Sequence, residues 1–344
     1  MAASFEWKRR LGAGQFGEVW LAFDTGLGVD RAVKLVPSGN VSDPDNFFEE
    51  AQLLVSATHD NVVRVYETGR LQDGRLYISM EYLRRGSVAD EAAGAPLRMR
   101  RAVMVLCDAL RGLDHAHSQG VLHRDIKPAN ILIGGHGQGK LSDFGLATKM
   151  TAAGGASPQG YLYHAAPEVV AGAQADGRTD VYAAGVTLYR LLNGDDYLPS
   201  FSVPHDCAIA IEQGRFPDRT RYRLYVPRNL RMVTNKALNI HRERRYQDAR
   251  AFRAALEQVS IHCDWLQHPK TGGTCWSGTC GRMEVMVEMA VSSRGDAAVE
   301  TRKRTAPGSW RRVIAACKSG MRTPAAQRFV RNILTRYATT GSLA

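Results

Sequence analysis

The stretch "HRDIKPANIL" at residues 123–132 decides how the rest of this sequence is interpreted. Asp125 is followed at short spacing by Lys127 and Asn130, and the apolar run 131–133 comes directly after them. One interpretation is a surface turn that happens to be polar. The other is a loop in which Asp125 handles a proton, Lys127 faces a phosphate and Asn130 holds a metal ion. The flanking sequence has to distinguish the two.

The sequence downstream supplies a further carboxylate, because "LSDFGLA" at 141–147 places Asp143 at the end of a strand candidate. Transfer of a γ-phosphoryl group needs little covalent help. It needs a divalent metal, in-line positioning and a base near the attacking hydroxyl. Asp143 and Asn130 offer oxygen ligands that suit Mg²⁺. Asp125 is then the natural proton acceptor, and Lys127 offers a point charge to the moving phosphoryl group.

Upstream, "LGAGQFGEV" at 11–19 places Gly12, Gly14 and Gly17 between two strand candidates. Backbone N–H groups approach phosphate oxygens closely only where no Cβ intervenes. Alone this motif is weak, and structural glycines or a dinucleotide-binding turn explain it equally well. A dinucleotide site, however, predicts a helix directly after the third glycine, whereas the following "EVWLAFD" is typical of a strand.

A lysine also lies within an apolar strand candidate, "AVKLV" at 32–36. Such a lysine usually extends its ammonium into solvent, and Glu50 on the following predicted helix is by itself one more solvated charge. Lys34 gains a different meaning if Glu50 pairs with it, because the pair would orient the ammonium toward the phosphates of a nucleotide.

The hydrophobic pattern predicts an α+β chain of two lobes. Residues 5–36 and 62–82 are mostly strand-like, whereas helical spacing dominates from about residue 97, with the junction near 83–87. The predicted helices of the second lobe cover 98–118, 165–172, 178–193, 206–213, 228–240 and 247–258.

Taken in order, these motifs resemble those of a eukaryotic-type (Hanks-type) Ser/Thr protein kinase over about residues 5–258. "APE" at 166–168 and "DVYAAG" at 180–185 complete the series, and Lys127 favours the Ser/Thr class over the Tyr class. The resemblance implies a bilobal kinase fold with a β-rich lobe at 1–83 and a helical lobe at 84–258. It also implies ATP and Mg²⁺ as cofactors and protein substrates with Ser or Thr hydroxyls. The alternative is a kinase fold that acts as a nucleotide-dependent switch with little turnover.

The resemblance further assigns roles to individual positions. The implied catalytic residues are Asp125, Lys127, Lys34 and Glu50. The implied metal ligands are Asn130 and Asp143. The residues implied to bind ATP are Leu11, Gly12, Gly14, Gly17, Val19, Ala32, Lys34, Met80, Glu81, Leu83 and Leu132. Scaffold roles are implied for a Glu168–Arg245 ion pair and for Asp180, which would hold the catalytic loop by its backbone.

Two positions before "APE" depart from the family pattern, because Tyr161 stands where threonine is usual and His164 where tyrosine is usual. The departure leaves ATP binding intact and puts the choice of acceptor in doubt. We also expect autophosphorylation within 143–168, where an added phosphate could pair with Arg124. Polar residues are also common in flexible loops for no functional reason. The candidate sites are Thr148, Thr151 and Ser157, of which Thr151 and Ser157 are favoured.

Composition restricts the class of protein further. The 344 residues are 44% hydrophobic and 23% charged, which is typical of a soluble globular chain. No apolar run approaches the ~18 residues of a membrane span, and the charged N-terminus has no apolar signal region. Six cysteines are too few for a disulfide scaffold, so we expect reduced thiols, a cytoplasmic location and no membrane association.

Residues 259–344 hold 13 Lys and Arg against 5 Asp and Glu and resemble no family. We expect a small, basic α+β accessory domain that binds an acidic protein or nucleic acid, or else a solvated Arg-rich surface. Its predicted elements are a hairpin around 292–296, a helix capped by Ser309 and a helix from Thr323. Free thiols are favoured over zinc, for which the candidate ligands are Cys263, Cys275, Cys280, His262 and His268.

Overall fold

The computed structural model describes residues 5–14, 17–37, 58–144 and 162–343. The first lobe is a five-stranded antiparallel sheet in which the strand order is β1-β2-β3-β5-β4. This arrangement confirms the strand-built lobe that the sequence predicts. Its strands are β1 (Phe5–Gly14), β2 (Gly17–Asp24), β3 (Val29–Val36), β4 (Val65–Arg70) and β5 (Leu76–Glu81).

The alternation of β3 explains why a lysine lies among apolar residues. Val33 and Leu35 are buried in a small cluster on one face of the sheet. Ala32 and Val36 join the main core on the other face. Because strand side chains alternate between faces, Lys34 projects on the same side as Ala32 and Val36, toward the second lobe.

The second lobe is helical, as predicted. Three of its helices begin at side-chain caps, namely Ser87, Asp176 and Asp248, whose oxygens accept backbone N–H groups of the first turn. Among the described residues, no helix is both long enough and apolar enough to cross a membrane. The helices are α1 (Val88–Ala92), α2 (Met99–Ser118), α3 (Pro167–Val170), α4 (Gly177–Asn193), α5 (Pro204–Glu212), α6 (Arg228–Ala237) and α7 (Ala249–Glu257).

Helix α2 packs very closely on the chain that enters β4. A Cβ at Gly112 would collide with the backbone carbonyl oxygen of Asn61. The side-chain Nδ2 of Asn61 in turn donates to the carbonyl oxygen of Gly139 at 2.9 Å. Glycine at position 112 therefore permits the approach by which α2 supports the junction of the two lobes.

A short hairpin of β6 (Ile131–Ile133) and β7 (Gly139–Leu141) lies between the lobes. Leu141 exchanges backbone hydrogen bonds with the first lobe, because its N–H donates to Asn61 at 2.9 Å and its carbonyl accepts from Val63 at 2.7 Å. The segment 123–130 runs into β6 and Asp143 follows β7, so one hairpin positions both polar motifs.

Residues 264–340 form a second antiparallel sheet, covered by one helix. The sheet order is β12-β11-β10-β9-β8, with β13 also paired to β11. The predicted hairpin and the predicted last helix are both present. The elements are β8 (Asp264–Lys270), β9 (Gly273–Cys280), β10 (Met283–Val291), β11 (Asp296–Thr305), β12 (Arg311–Arg312), β13 (Lys318–Arg322) and α8 (Thr323–Thr340).

The predicted helix that begins at Ser309 is wrong. Arg311 and Arg312 pair with β11 instead, and the N–H of Val313 donates to the carbonyl of Thr301 at 2.8 Å. A short 3₁₀ turn at Ile314–Ala316 follows. Pairing with an existing sheet edge satisfies these backbone groups, and that tertiary contact overrides the local helical spacing.

This C-terminal sheet packs directly on α2. The Arg98 guanidinium donates to the carbonyl oxygen of Asp264 at 2.9 Å, and that of Arg100 donates to Ile261 and His262 at 2.7 and 2.8 Å. The Asp264 carboxylate accepts the Arg100 backbone N–H at 3.4 Å. Helix α2 has no capping side chain of its own, so Asp264 serves as its N-terminal cap.

The expectation that all thiols are reduced is wrong for one pair. Cys263 and Cys280 form a disulfide that joins the start of β8 to the end of β9. Zinc at these cysteines is not supported either, because the described residues contain no group of His, Cys, Asp and Glu placed to hold a metal. The free cysteines are Cys107, Cys207, Cys275 and Cys317.

Candidate active site

The segment 123–130 is held in place by Asp180 of α4. The backbone N–H groups of His123 and Arg124 donate to the Asp180 carboxylate at 2.9 and 2.7 Å, as the resemblance implies. A third partner, His117 of α2, lies 2.8 Å away. Arg124 has a φ of +65°, a conformation that is rare outside glycine. The hydrogen bonds to Asp180 therefore stabilise a loop geometry that the chain alone would not prefer.

His123 connects the two halves of the site. Its Nε2 lies 3.0 Å from the Ser142 carbonyl and its Nδ1 accepts the Asp125 N–H at 3.2 Å. Since a carbonyl can only accept, Nε2 carries the proton. Complete burial lowers the pKa of His123 and keeps it neutral, which this hydrogen-bond pattern requires. Asp125 and the segment that leads to Asp143 are thus joined by one fixed imidazole.

Asp125 is surrounded by the two residues that the sequence motif supplies. Lys127 Nζ donates to its Oδ2 at 2.7 Å, and Asn130 Nδ2 donates to the same oxygen at 2.9 Å. The other oxygen, Oδ1, is buried and has no hydrogen-bond partner among the described residues. A buried acceptor without a donor is costly, so a hydroxyl that reached this oxygen would relieve that cost.

Asp143 faces the first lobe, where Lys34 Nζ lies 2.6 Å from its Oδ1. Burial alone would raise the pKa of Asp143, but the charge and hydrogen bond of Lys34 outweigh it and the pKa is lowered. The carboxylate is therefore ionised, and its side chain remains 33% exposed. Asp143 also has a φ of +57°, which turns the chain sharply after β7.

Most of the nucleotide-binding residues implied by the resemblance lie in the sheet of the first lobe. Ala32 and Met80 are directly paired across β3 and β5 and belong to the main core. Gly12 and Gly14 pair with Val19 and Gly17 where β1 and β2 meet. Gly17 has a φ of +135°, and a Cβ there would collide with the Leu35 carbonyl oxygen. The partly buried residues packed against this core are Leu11, Val19, Leu83 and Leu132.

These residues fit ATP and Mg²⁺. Asp143 offers an ionised carboxylate, and both hydrogen bonds that the Asn130 side chain makes among the described residues use its Nδ2, so that its carbonyl oxygen can face a cation. Two oxygens from one hairpin match the preference of Mg²⁺ for a few carboxylate and amide ligands together with phosphates. Lys34 would be placed to supply a positive charge to the phosphates.

Several predicted residues lie outside the described part of the chain. They are Glu50, Tyr161, Thr148, Thr151 and Ser157. The pairing of Lys34 with Glu50 and the phosphorylation sites therefore stay predictions.

The predicted scaffold pair is present. Arg245 donates through Nη1 and Nη2 to the two carboxylate oxygens of Glu168, both at 2.7 Å. The Arg245 side chain is completely buried. Burial would raise the pKa of Glu168, but the hydrogen bonds and charge of Arg245 outweigh it and the pKa is lowered. A bidentate pair of this kind anchors α3 to the chain before α7.

Three further contacts could not be predicted from the sequence. His117 binds Asp180, and Lys140 donates to the Glu81 carboxylate at 2.6 Å. The third contact joins His164 and Arg190 at 2.8 Å. His117, Lys140 and Arg190 lie outside the motifs, and each meets its partner only through the packing of distant parts of the chain.

The fold and this site together define a protein kinase, and the chain belongs to that family. The family model described as the protein kinase domain matches residues 5–255. The serine/threonine-protein kinase PknJ of Mycobacterium tuberculosis is 38% identical over 224 residues, which are 62% of this chain and 37% of that protein. The serine/threonine-protein kinase PknB of Mycolicibacterium smegmatis is 35% identical over 264 residues, 72% of this chain and 42% of that protein. The chain thus spans about two fifths of the relatives that it matches. Their names do not favour the switch alternative.

Proposed function

We propose that this chain transfers the γ-phosphate of Mg-ATP to Ser or Thr hydroxyls of proteins. The observation that carries the proposal is the Asp125 carboxylate, whose Oδ2 is held by Lys127 and Asn130 while Oδ1 is buried without a partner. An acceptor hydroxyl that donates to Oδ1 would satisfy the oxygen and place its proton on the path to the base.

The other residues act by position and charge. Lys34 would hold the phosphates that lie over the glycine turn, and Asn130 and Asp143 would bind the metal. When bound, Mg²⁺ neutralises the charge that develops on the transferred group. Lys127, already within 2.7 Å of Asp125, would place a second positive charge beside the acceptor oxygen.

We further propose autophosphorylation in the segment 143–168, at Thr151 or Ser157 in preference to Thr148. Support comes from the position of Arg124, which directly precedes Asp125 and lines a cavity together with Asp180 and residues 164–166. A phosphate would bring about two negative charges to this guanidinium.

The proposed domain organisation is a kinase domain at 1–258, with lobes at 1–83 and 84–258, and an accessory domain at 259–344. The family match ends near the first boundary and a separate sheet begins soon after it. An acidic protein or nucleic-acid partner for the accessory domain stays a prediction. Part of its basic charge is used internally, as in the Lys270–Glu288 and Arg304–Glu284 pairs. A cytoplasmic location also stays a prediction, and the disulfide removes the argument from reduced thiols.

The test is transfer of labelled γ-phosphate from Mg-ATP to the chain itself and to histone. We expect label on Ser or Thr of either protein, with loss in an Asp125→Asn variant. Folded wild-type protein that binds Mg-ATP but transfers no label would contradict the proposed function. Peptide mass spectra after the same incubation locate any phosphate within 143–168.

A further inference from the structure

His164 is buried between α4 and the segment 123–130 that carries Asp125, called the catalytic loop below. Its surroundings define its protonation. Arg190 Nη1 lies 2.8 Å from its Nε2. A guanidinium has no acceptor, so Arg190 donates and Nε2 presents a lone pair. The proton of the neutral ring then resides on Nδ1. Burial, followed by the Arg190 charge, lowers the pKa of His164 to about 3, in agreement with a ring that stays neutral.

The opposite side of the ring faces the catalytic loop. His164 Nδ1 lies 3.5 Å from Thr187 Oγ1, and this hydroxyl is 3.2 Å from the carbonyl oxygen of Ile126. Ile126 directly follows Asp125. Thr187 is completely buried, and Ile126 is 1% exposed. The same hydroxyl also lies 3.0 Å from the carbonyl oxygen of Ala183, one turn earlier in α4.

The position of Arg190, on the other side of His164, is also fixed. The Arg190 guanidinium donates from Nε and Nη2 to the two carboxylate oxygens of Asp195, each at 2.9 Å. This bidentate pair determines where the remaining Nη1 points. Contacts therefore run from Asp195 through Arg190 and His164 to Thr187 and the catalytic loop.

We propose that His164 is a positioning residue for protein acceptors, which fixes segment 162–166 against the backbone that carries Asp125. This inference rests on the proposed function. Its imidazole can accept on one side and donate on the other at the same time, which an apolar side chain cannot do. Loss of the ring would leave the Arg190 Nη1 without its acceptor and would remove the contact between His164 and Thr187, so that the segment would be free to move relative to Asp125.

The test compares three variants of the full chain. His164→Leu removes both hydrogen-bonding atoms, and His164→Gln retains an acceptor and a donor. His205→Leu, at an exposed histidine of α5, is the matched control. Steady-state phosphate transfer to histone gives kcat and KM for the acceptor, and the same assays give KM for ATP. The melting temperature of each variant is measured in parallel.

We expect His164→Leu to lower kcat/KM for histone by about tenfold or more, the scale of one unsatisfied buried group. KM for ATP in His164→Leu should stay within about twofold of the wild-type value. His164→Gln should recover much of the lost kcat/KM, and His205→Leu should match wild type. A double variant that adds Arg190→Met to His164→Leu should also recover part of the lost kcat/KM, because the unpaired Arg190 Nη1 donor is then absent.

Three results would overturn the inference: an unchanged acceptor kcat/KM in His164→Leu, an equal loss in His164→Gln, or a parallel fall in ATP affinity and melting temperature. An inactive wild type would overturn the proposed function and this inference with it. An active wild type with an unaffected His164→Leu would overturn only the inference. Independently, ¹⁵N NMR should show His164 as the Nδ1–H tautomer without titration between pH 5 and 8, and a titrating ring contradicts the geometry.

Discussion

Lys34 and Asp143 are 109 positions apart in the chain, yet the lysine ammonium lies 2.6 Å from the aspartate Oδ1. One residue belongs to the sheet of the first lobe and the other follows the hairpin of the second. The contact therefore ties the sheet of the first lobe to the chain that follows the hairpin. It places the ammonium that we propose to bind phosphates beside the carboxylate that we propose to bind the metal.

Replacement of Asp143 by Asn should abolish phosphate transfer. The variant loses the ionised ligand, and metal-based charge stabilisation is worth several kcal/mol, so we expect a fall of at least about 100-fold. Calorimetric titration should show that ATP binding no longer strengthens when Mg²⁺ is added. The control is Asp206→Asn at an exposed site of α5. Undiminished transfer in the Asp143 variant would exclude the assigned role.

Replacement of Asp125 by Asn should affect the chemical step and leave nucleotide binding intact. General base catalysis contributes about 10²–10⁴-fold, which is the loss expected in kcat. The amide retains the size of the carboxylate, so Kd for Mg-ATP should change little. Transfer assays and nucleotide titrations separate the two effects. Asp73→Asn, in the exposed turn between β4 and β5, serves as the control. A weaker affinity for Mg-ATP in Asp125→Asn, without a change in kcat, would argue against Asp125 as the base.

Removal of Arg245 should destabilise the second lobe strongly. Arg245→Ala leaves the largely buried Glu168 carboxylate without its guanidinium partner, which costs about 3–5 kcal/mol of unfolding free energy. Arg302→Ala breaks an exposed pair with Glu300 and should cost at most about 1 kcal/mol. Urea denaturation of both variants checks the contrast, and equal losses would show that burial does not set the size of this effect.

The pH dependence of Glu168 has a definite sign. Its folded pKa lies below the unfolded value of about 4.3, so its contribution to stability is present above that value and is lost as pH falls through the folded pKa. Glu168→Gln should remove this part of the acid sensitivity. Denaturation between pH 3 and 7 measures it, and an unchanged slope in the variant would contradict the pairing.

Asp264 should behave in the opposite way. Burial raises its pKa above the unfolded value, so its contribution to stability is greatest at low pH and declines as pH rises through the folded pKa. Asp264→Asn keeps a capping oxygen without the charge and should match or exceed wild-type stability at pH 7. Asp264→Ala removes the cap and should cost about 1 kcal/mol. Thermal unfolding of both variants separates the effect of the cap from that of the charge. A greater loss of stability in Asp264→Asn than in Asp264→Ala would contradict the role of Asp264 as a cap.

The sequence predicted which residues come together in the candidate site better than it predicted the contacts that hold them in place. Asp125, Asn130 and Asp143 lie in short motifs whose spacing reflects one hairpin, so local order was enough to bring them together. The partner of His164 could not be found in this way, because Arg190 reaches it only through the packing of α4. Likewise, nothing in the alternation of β3 alone shows which carboxylate Lys34 meets.

The C-terminal region shows the same limit for the fold. The hairpin at 292–296 and the helix from Thr323 carry strong local signals and were predicted correctly. The stretch at 309–317 has helical spacing, but Arg311 and Arg312 pair with β11. Cys263 and Cys280 meet because β8 and β9 fold back on each other, and that register was not visible in the cysteine spacing.

The packing of α2 against the C-terminal sheet affects how the protein unfolds. Trp265 and Trp276 of that sheet belong to the same buried core as Leu106 and Leu110 of α2. A boundary near residue 258 is thus a boundary in sequence and not in packing. On heating, the helical lobe and the C-terminal sheet should unfold together, in one calorimetric peak. An accessory domain taken from another kinase could replace this one only if α2 were redesigned to receive it.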